Sequence, residues 1–141
     1  MELLTIRKLA QRAGVNVETV RYYERRGLLV KPLRSPSGYR LFHTTVIRRV
    51  QFIKRVQALG FSLQEIDELL NLKTEQRADC GEVWDRLETK ISAIEEKIRL
   101  LEAMKMKLIQ LSDTCPGDGP VSECPILESL ETENERSQQE V

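Results

Sequence analysis

Cys80, Cys115 and Cys124 are the residues of this chain best equipped for chemistry. A thiol can pair, oxidise or ligate a soft metal ion, and the thiolate is the reactive form each time. Three is an odd number for a disulfide framework, and Met1-Glu2-Leu3-Leu4-Thr5 holds no apolar leader run. The expected setting is therefore reducing and cytoplasmic, with the thiols free or metal-bound. Three thiolates without a fourth nitrogen or sulfur donor suit a three-coordinate site for a thiophilic ion, whereas structural zinc generally takes four ligands. The single histidine, His43, is far from the cysteines in sequence. Two other uses stay open: a redox sensor that pairs Cys115 with Cys124, and inert packing, above all for Cys80 beside an apolar helical seam.

The element that must position these thiols is a long helix. Trp84, Leu87, Ile91, Ile94, Ile98 and Leu101 recur at alternating steps of three and four, the seam of a coiled coil. After one extra three-residue step, which resembles a stammer, the seam resumes at Met104, Leu108 and Leu111. No Pro or Gly interrupts residues 82–115, and Glu95, Glu96, Lys97, Arg99, Glu102, Lys105 and Lys107 fill the other faces. Nothing else in the chain is long enough to cover the stripe, so a second copy is the expected partner, antiparallel and two-fold symmetric. Cys80 and Cys115 are 35 residues apart, roughly 50 Å at ~1.5 Å per residue of helix. They cannot share a ligand within one chain. Antiparallel pairing would bring Cys80 of one subunit beside Cys115 and Cys124 of the other.

The amino-terminal part has a different texture. Thr5 can cap a helix to about Ala13, Gly14 breaks it, and Asn16 can cap a second helix of about residues 17–26 that Gly27 ends. Two short helices joined in this way predict a helix-turn-helix, whose second helix offers Asn16, Glu18, Thr19, Arg21, Tyr22 and Arg25 to bases and phosphates. Tyr23 is as compatible with the core as with contact. Pro32, Pro36 and Gly38 punctuate a hairpin-like wing with Arg34, Tyr39 and Arg40 at its base. Thr44 is a candidate cap for a helix to about Ala58, and Ser62-Leu63-Gln64-Glu65 reads as a capping box opening another.

Residues 1–60 carry 13 Lys and Arg against 3 Asp and Glu, and residues 61–141 carry 9 against 19, so a net charge of zero hides a basic half and an acidic one. The basic half is the footprint of a nucleic-acid binder. No run is long enough to span a membrane, and no constellation of acid, base and nucleophile suggests an enzyme. The expected division is a DNA-binding domain over 1–71, a hinge over 72–79, a dimerisation helix over 80–112, a metal-binding loop with a short helix over 113–131, and a disordered tail over 132–141.

Thr5-Ile6 through Leu9-Ala10, Gly14-Val15, Thr19-Val20-Arg21-Tyr22-Tyr23-Glu24, Gly27-Leu28, Gly38-Tyr39-Arg40 and Leu59-Gly60-Phe61-Ser62-Leu63-Gln64-Glu65-Ile66 resemble the MerR family of transcription regulators over about residues 3–130. The resemblance implies an all-α fold with a small β wing: a winged helix-turn-helix, a long antiparallel coiled-coil helix and a carboxy-terminal metal loop. It also implies a homodimer on double-stranded promoter DNA, which is bent and untwisted for RNA polymerase when the effector binds. The cysteine pattern, with eight residues between Cys115 and Cys124 followed by Pro125-Ile126-Leu127, is similar to that of the mercury-responsive members. Their pattern implies Hg(II) as effector, held by Cys80 of one subunit with Cys115 and Cys124 of the other, and no organic cofactor. Asp79-Cys80-Gly81-Glu82-Val83 is also similar to the relatives that respond to Pb(II) and Cd(II).

Overall fold

A computed structural model describes residues 2–139, with side chains to Thr132. The elements run β1 (Leu3–Thr5), α1 (Ile6–Ala13), α2 (Val17–Arg25), β2 (Leu33–Arg34), β3 (Arg40–His43), α3 (Thr45–Ala58), α4 (Leu63–Thr74), α5 (Cys80–Ser112), a short 3-10 turn (Val121–Glu123) and α6 (Pro125–Gln139). The protein is therefore mostly helical with one small sheet. It divides into two compact units, one ending at Lys90 and one beginning at Ile91.

Local chemistry starts the helices of the first unit. Thr5 Oγ1 accepts from Lys8 N at 3.3 Å, and Asn16 Oδ1 accepts from Thr19 N at 2.8 Å. Ser62 and Glu65 complete a reciprocal capping box. Each side chain satisfies a backbone donor that the first turn would otherwise leave open. Gly14 ends α1 with φ at 77°, a left-handed conformation that glycine adopts without a Cβ penalty. Thr44 does not act as expected. Its backbone is already helical, with φ −59° and ψ −26°, and its hydroxyl makes no capping bond.

The sheet is antiparallel in the order β1-β3-β2. Sequence periodicity supplied no expectation of β1, because a three-residue strand has no pattern of its own and forms here by pairing Leu4 with Phe42. Those two side chains join Leu9, Val20, Leu28, Val50, Ile53 and Ile66 in one buried core beneath α1, α2, α3 and α4. Burying each of these side chains stabilises the fold by about 1.5–3 kcal/mol. That core fixes α2 and the β2–β3 wing on a common base.

The first unit extends beyond the expected boundary at residue 71. Helix α4 continues to Thr74, which leaves residues 75–79 as the connection in place of the expected hinge over 72–79. The opening turns of α5 then pack within this unit: Arg86 pairs with Glu68, and Lys90 Nζ lies 2.8 Å from Glu65 Oε1 and 5.2 Å from the centre of the Phe61 ring. In the second unit, Leu111 is buried near the end of α5. The short helix expected to end near Leu130 instead runs to Gln139, so most of the expected disordered tail over 132–141 is helical. Glu, Gln and Arg are good helix formers, and nothing after Pro125 breaks the run. Glu140 and Val141 lie outside the described residues.

The Lys90 ammonium, followed by the Ser62 backbone, holds the Glu65 carboxyl at about 2, against an ordinary 4.5. A carboxyl lowered on folding contributes stability that is complete above its unfolded value and is lost as pH falls through the folded one. Wild type should therefore lose more thermal stability than Glu65→Gln as pH falls from about 5 to about 2. Parallel calorimetric melts of the two proteins measure this, and equal pH slopes would remove Glu65 from the account.

Candidate nucleic-acid interface and thiol sites

The side chains expected to face a nucleic acid lie mostly on the open side of α2. Glu18, Arg21, Tyr22 and Arg25 are exposed. Asn16 and Thr19 are partly committed to the helix start, because Asn16 Oδ1 also accepts from Thr19 Oγ1 at 2.8 Å. Arg21 Nη1 pairs with Glu18 Oε1 at 2.7 Å, an exposed contact worth only a few tenths of a kcal/mol. The guanidiniums of Arg25 and Arg26 lie 5.9 and 6.0 Å from the Tyr22 ring centre, so an aromatic face and two cations share one surface. This combination can meet phosphates and stack on or contact a base edge.

Tyr23 belongs to the core. Its side chain is buried, and its hydroxyl donates to Gln57 Oε1 at 2.6 Å, tying α2 to α3. Burial raises the phenol pKa and keeps it a proton donor. Lys54 Nζ adds a second tie, donating to the Gly14 carbonyl at 3.0 Å within the turn of the helix-turn-helix. Neither Gln57 nor Lys54 stands out in the sequence, since both act across long separations.

The wing is internally braced. Arg34 Nη1 donates to Gly38 O at 3.0 Å, and Ser35 Oγ accepts from Tyr39 N at 3.0 Å. The Tyr39 ring is left 70% exposed, available to a partner. Arg40 Nε reaches back to Glu24 near the end of α2, at 3.3 Å from Oε1. Arg34 and Arg40 thus shape the hairpin as well as charging it.

All three cysteines are free, with Cys80 exposed and Cys115 and Cys124 partly buried. Cys124 immediately precedes α6. The backbone N–H groups of Leu127 and then Ile126 hold its thiol below the ordinary range, with a further hydrogen bond from Cys115 and with burial working against them. The start of that helix thus favours the thiolate that a soft ion needs. Gly117 N donates to Cys115 Sγ at 3.5 Å, so the Pro-Gly loop also supplies a backbone donor to the neighbouring thiol. Cys80 opens α5, and the other two cysteines follow the end of that helix. Among the described residues, no group of three His, Cys, Asp or Glu gathers within one chain to hold a metal ion. Cys80 also lines an apolar groove of about 550 Å³ with Phe52, Val56, Phe61, Leu69 and Val83. The expected seam residues Trp84, Leu87, Ile91, Ile94, Ile98, Leu101 and Leu108 are all exposed, by 40–65%.

A basic helix-turn-helix with a braced wing, followed by a long helix and a thiol-bearing loop, defines a DNA-binding regulator of the winged class. The model of the MerR HTH family regulatory protein matches residues 4–73, and that of the MerR DNA-binding region matches residues 47–111. The chain belongs to the MerR family, whose members are transcription regulators and not enzymes. It is 43% identical over 125 residues to the mercuric resistance operon regulatory protein of Bacillus cereus, covering 89% of this chain and 95% of that protein. The HTH-type transcriptional regulator CueR of Salmonella typhimurium is 33% identical over 127 residues, or 90% of this chain and 91% of its own. Among solved structures, a transcription regulator of Ralstonia metallidurans CH34 in complex with lead(II) superposes with a TM-score of 0.83 at 36% identity, covering 90% of this chain and 98% of the other.

With the Tyr23 hydroxyl satisfied inside the unit, Tyr23→Phe should cost about 1 kcal/mol of stability through loss of the tie to Gln57, whose exposed amide water can then solvate. DNA affinity at a temperature where both proteins are folded should not change. Urea unfolding and fluorescence anisotropy check the two halves, and a loss of affinity without a loss of stability would return Tyr23 to the interface.

Proposed function

We propose that this chain is a cytoplasmic, metal-responsive regulator that acts as a homodimer on double-stranded promoter DNA and has mercury(II) as its effector. The observation that carries the reading is the 43% identity to a mercuric resistance operon regulatory protein across 89% of the chain. The free thiols and the lowered pKa of Cys124 support it. Cys80 of one subunit, with Cys115 and Cys124 of the other, supplies the donors. The exposed stripe of α5 is the surface along which two chains pair in antiparallel fashion. Two helix-turn-helix units then meet the half-sites of a dyad, with Asn16, Glu18, Thr19, Arg21, Tyr22 and Arg25 toward the groove. Arg34, Tyr39 and Arg40 meet the backbone.

Bound metal supplies a cross-link between subunits at the two ends of the paired helices. It switches the promoter only by favouring one arrangement of the DNA-binding units over another, since a ligand indifferent to both arrangements shifts neither. The consequence for transcription is a promoter distorted into a form that RNA polymerase can use. Lead(II) is the second reading, favoured by the similarity to the Ralstonia regulator solved with that ion. Cadmium(II) would suit the same donors.

The test mixes two inactive proteins. Cys80→Ser and Cys115→Ser/Cys124→Ser should each bind mercury(II) far more weakly than wild type, read from ultraviolet thiolate-to-metal bands. Re-equilibrated together, the two variants should regain about one tight site per mixed dimer, because one end then holds all three thiols. No recovery on mixing would sink the intersubunit site. Competition with lead(II), cadmium(II) and zinc(II) on wild type decides the effector, and a preference for lead(II) would replace mercury(II) in this reading. If Cys80→Ser binds mercury(II) as tightly as wild type while peroxide joins Cys115 to Cys124, the protein is a redox sensor instead.

A further inference from the structure

Glu24 is an acidic residue in the middle of the basic half of the chain. It lies in the last turn of α2, with its side chain only 19% exposed, and faces Arg40 at the start of β3, which is 34% exposed. Arg40 Nε lies 3.3 Å from Glu24 Oε1 and 3.2 Å from Oε2. Oε2 is buried and makes no hydrogen bond of its own. The contact uses only Nε of the guanidinium, and both Nη groups are left without a hydrogen bond among the described residues. A carboxylate placed near phosphates repels them, so its presence here calls for a compensating role.

We infer that Glu24 is a positioning residue: it grips Arg40 by Nε and sets the two Nη groups as a fork for one DNA phosphate, while fixing the wing against the recognition helix. The inference rests on the reading that α2 and the wing bind DNA. A guanidinium gains most when its planar fork is held in place before the oxyanion arrives. Glu24 joins the recognition helix to the wing, so one ion pair also sets the spacing between the groove-facing side chains and a backbone contact. No other ion pair among the described residues joins α2 to the wing.

Two physical accounts predict opposite signs for one substitution. If Glu24 is only a like charge near the phosphates, Glu24→Gln tightens DNA binding. If it positions Arg40, Glu24→Gln weakens binding, by about five- to tenfold for a charge-assisted contact that loses its alignment. The measurement is anisotropy of the intact protein with a fluorescein-labelled, mixed-sequence duplex of about 30 base pairs across a salt series, because phosphate contacts are independent of sequence. Arg40→Ala should lower the magnitude of the salt slope by about 1 per subunit. Glu24→Gln should lower it in the same direction, and the double variant should bind no worse than Arg40→Ala alone.

Arg40→Lys keeps the charge but lacks the fork. It should lose affinity by a factor similar to that of Glu24→Gln while keeping most of the salt slope, because its charge still meets the phosphate, and it carries the test if the glutamine variant fails to fold. Tighter binding by Glu24→Gln, losses that multiply in the double variant, or wild-type binding by Arg40→Lys would each overturn the inference. If the wild-type protein does not bind the duplex even at low salt, the DNA-binding reading itself fails, a result distinct from any pattern among the variants.

Discussion

Trp84, Leu87, Ile91, Ile94, Ile98 and Leu101 each keep between 40% and 62% of their surface open to solvent along one side of α5, and the proposed thiol chemistry depends on covering that stripe. Removing such side chains from water stabilises an assembly by roughly 1 kcal/mol apiece at this degree of exposure. Charged residues dominate the other faces, although Val83, Leu100, Met106 and Ile109 are exposed apolar side chains outside the stripe. A surface of this kind selects another long helix with a matching stripe. In the proposed homodimer, the same burial that joins two chains would also bring thiols from opposite ends of the helix together. Dimerisation and the ligand set would then be one structural event.

The start of α5 ties that event to the DNA-binding half. Lys90 spans the Glu65 carboxylate and the Phe61 ring, and Arg86 holds Glu68. These are modest interactions singly, exposed enough for water to compete. They nevertheless join the first turns of α5 to α4 and to the turn that precedes it. A chain that responds to an ion needs some parts to move together and others to give. Residues 75–79 are the one stretch between α4 and α5 outside a regular element.

What could be read from the sequence divides by range. The caps at Thr5, Asn16 and Ser62 were legible because each acts on a backbone group three residues ahead. Helices α1 to α5 and the exposed stripe were legible from caps and period together, whereas the length of α6, which carries no apolar period past Leu130, was not. Thr44 has the right residue type but an already helical backbone, and residue type does not report backbone angle. The partner of β1 stands almost forty positions away, beyond any local pattern. Tyr23 could not be assigned, because its place depends on Gln57, 34 residues on. At the thiols, the sequence supplied the donors and their spacing. The depressed pKa of Cys124 came from backbone donors at a helix start that only the fold reveals.

The stripe also carries a label of its own. Trp84 is the only tryptophan in the chain, and 61% of it is exposed. An indole in water emits at longer wavelength than one in an apolar contact, so the protein's intrinsic fluorescence reports whether the beginning of the stripe is covered. Tyrosine contributes little at the red edge of the excitation band, which leaves the signal to one residue. The proposed pairing of two chains along the stripe would therefore be visible optically, without any added dye and without touching a thiol.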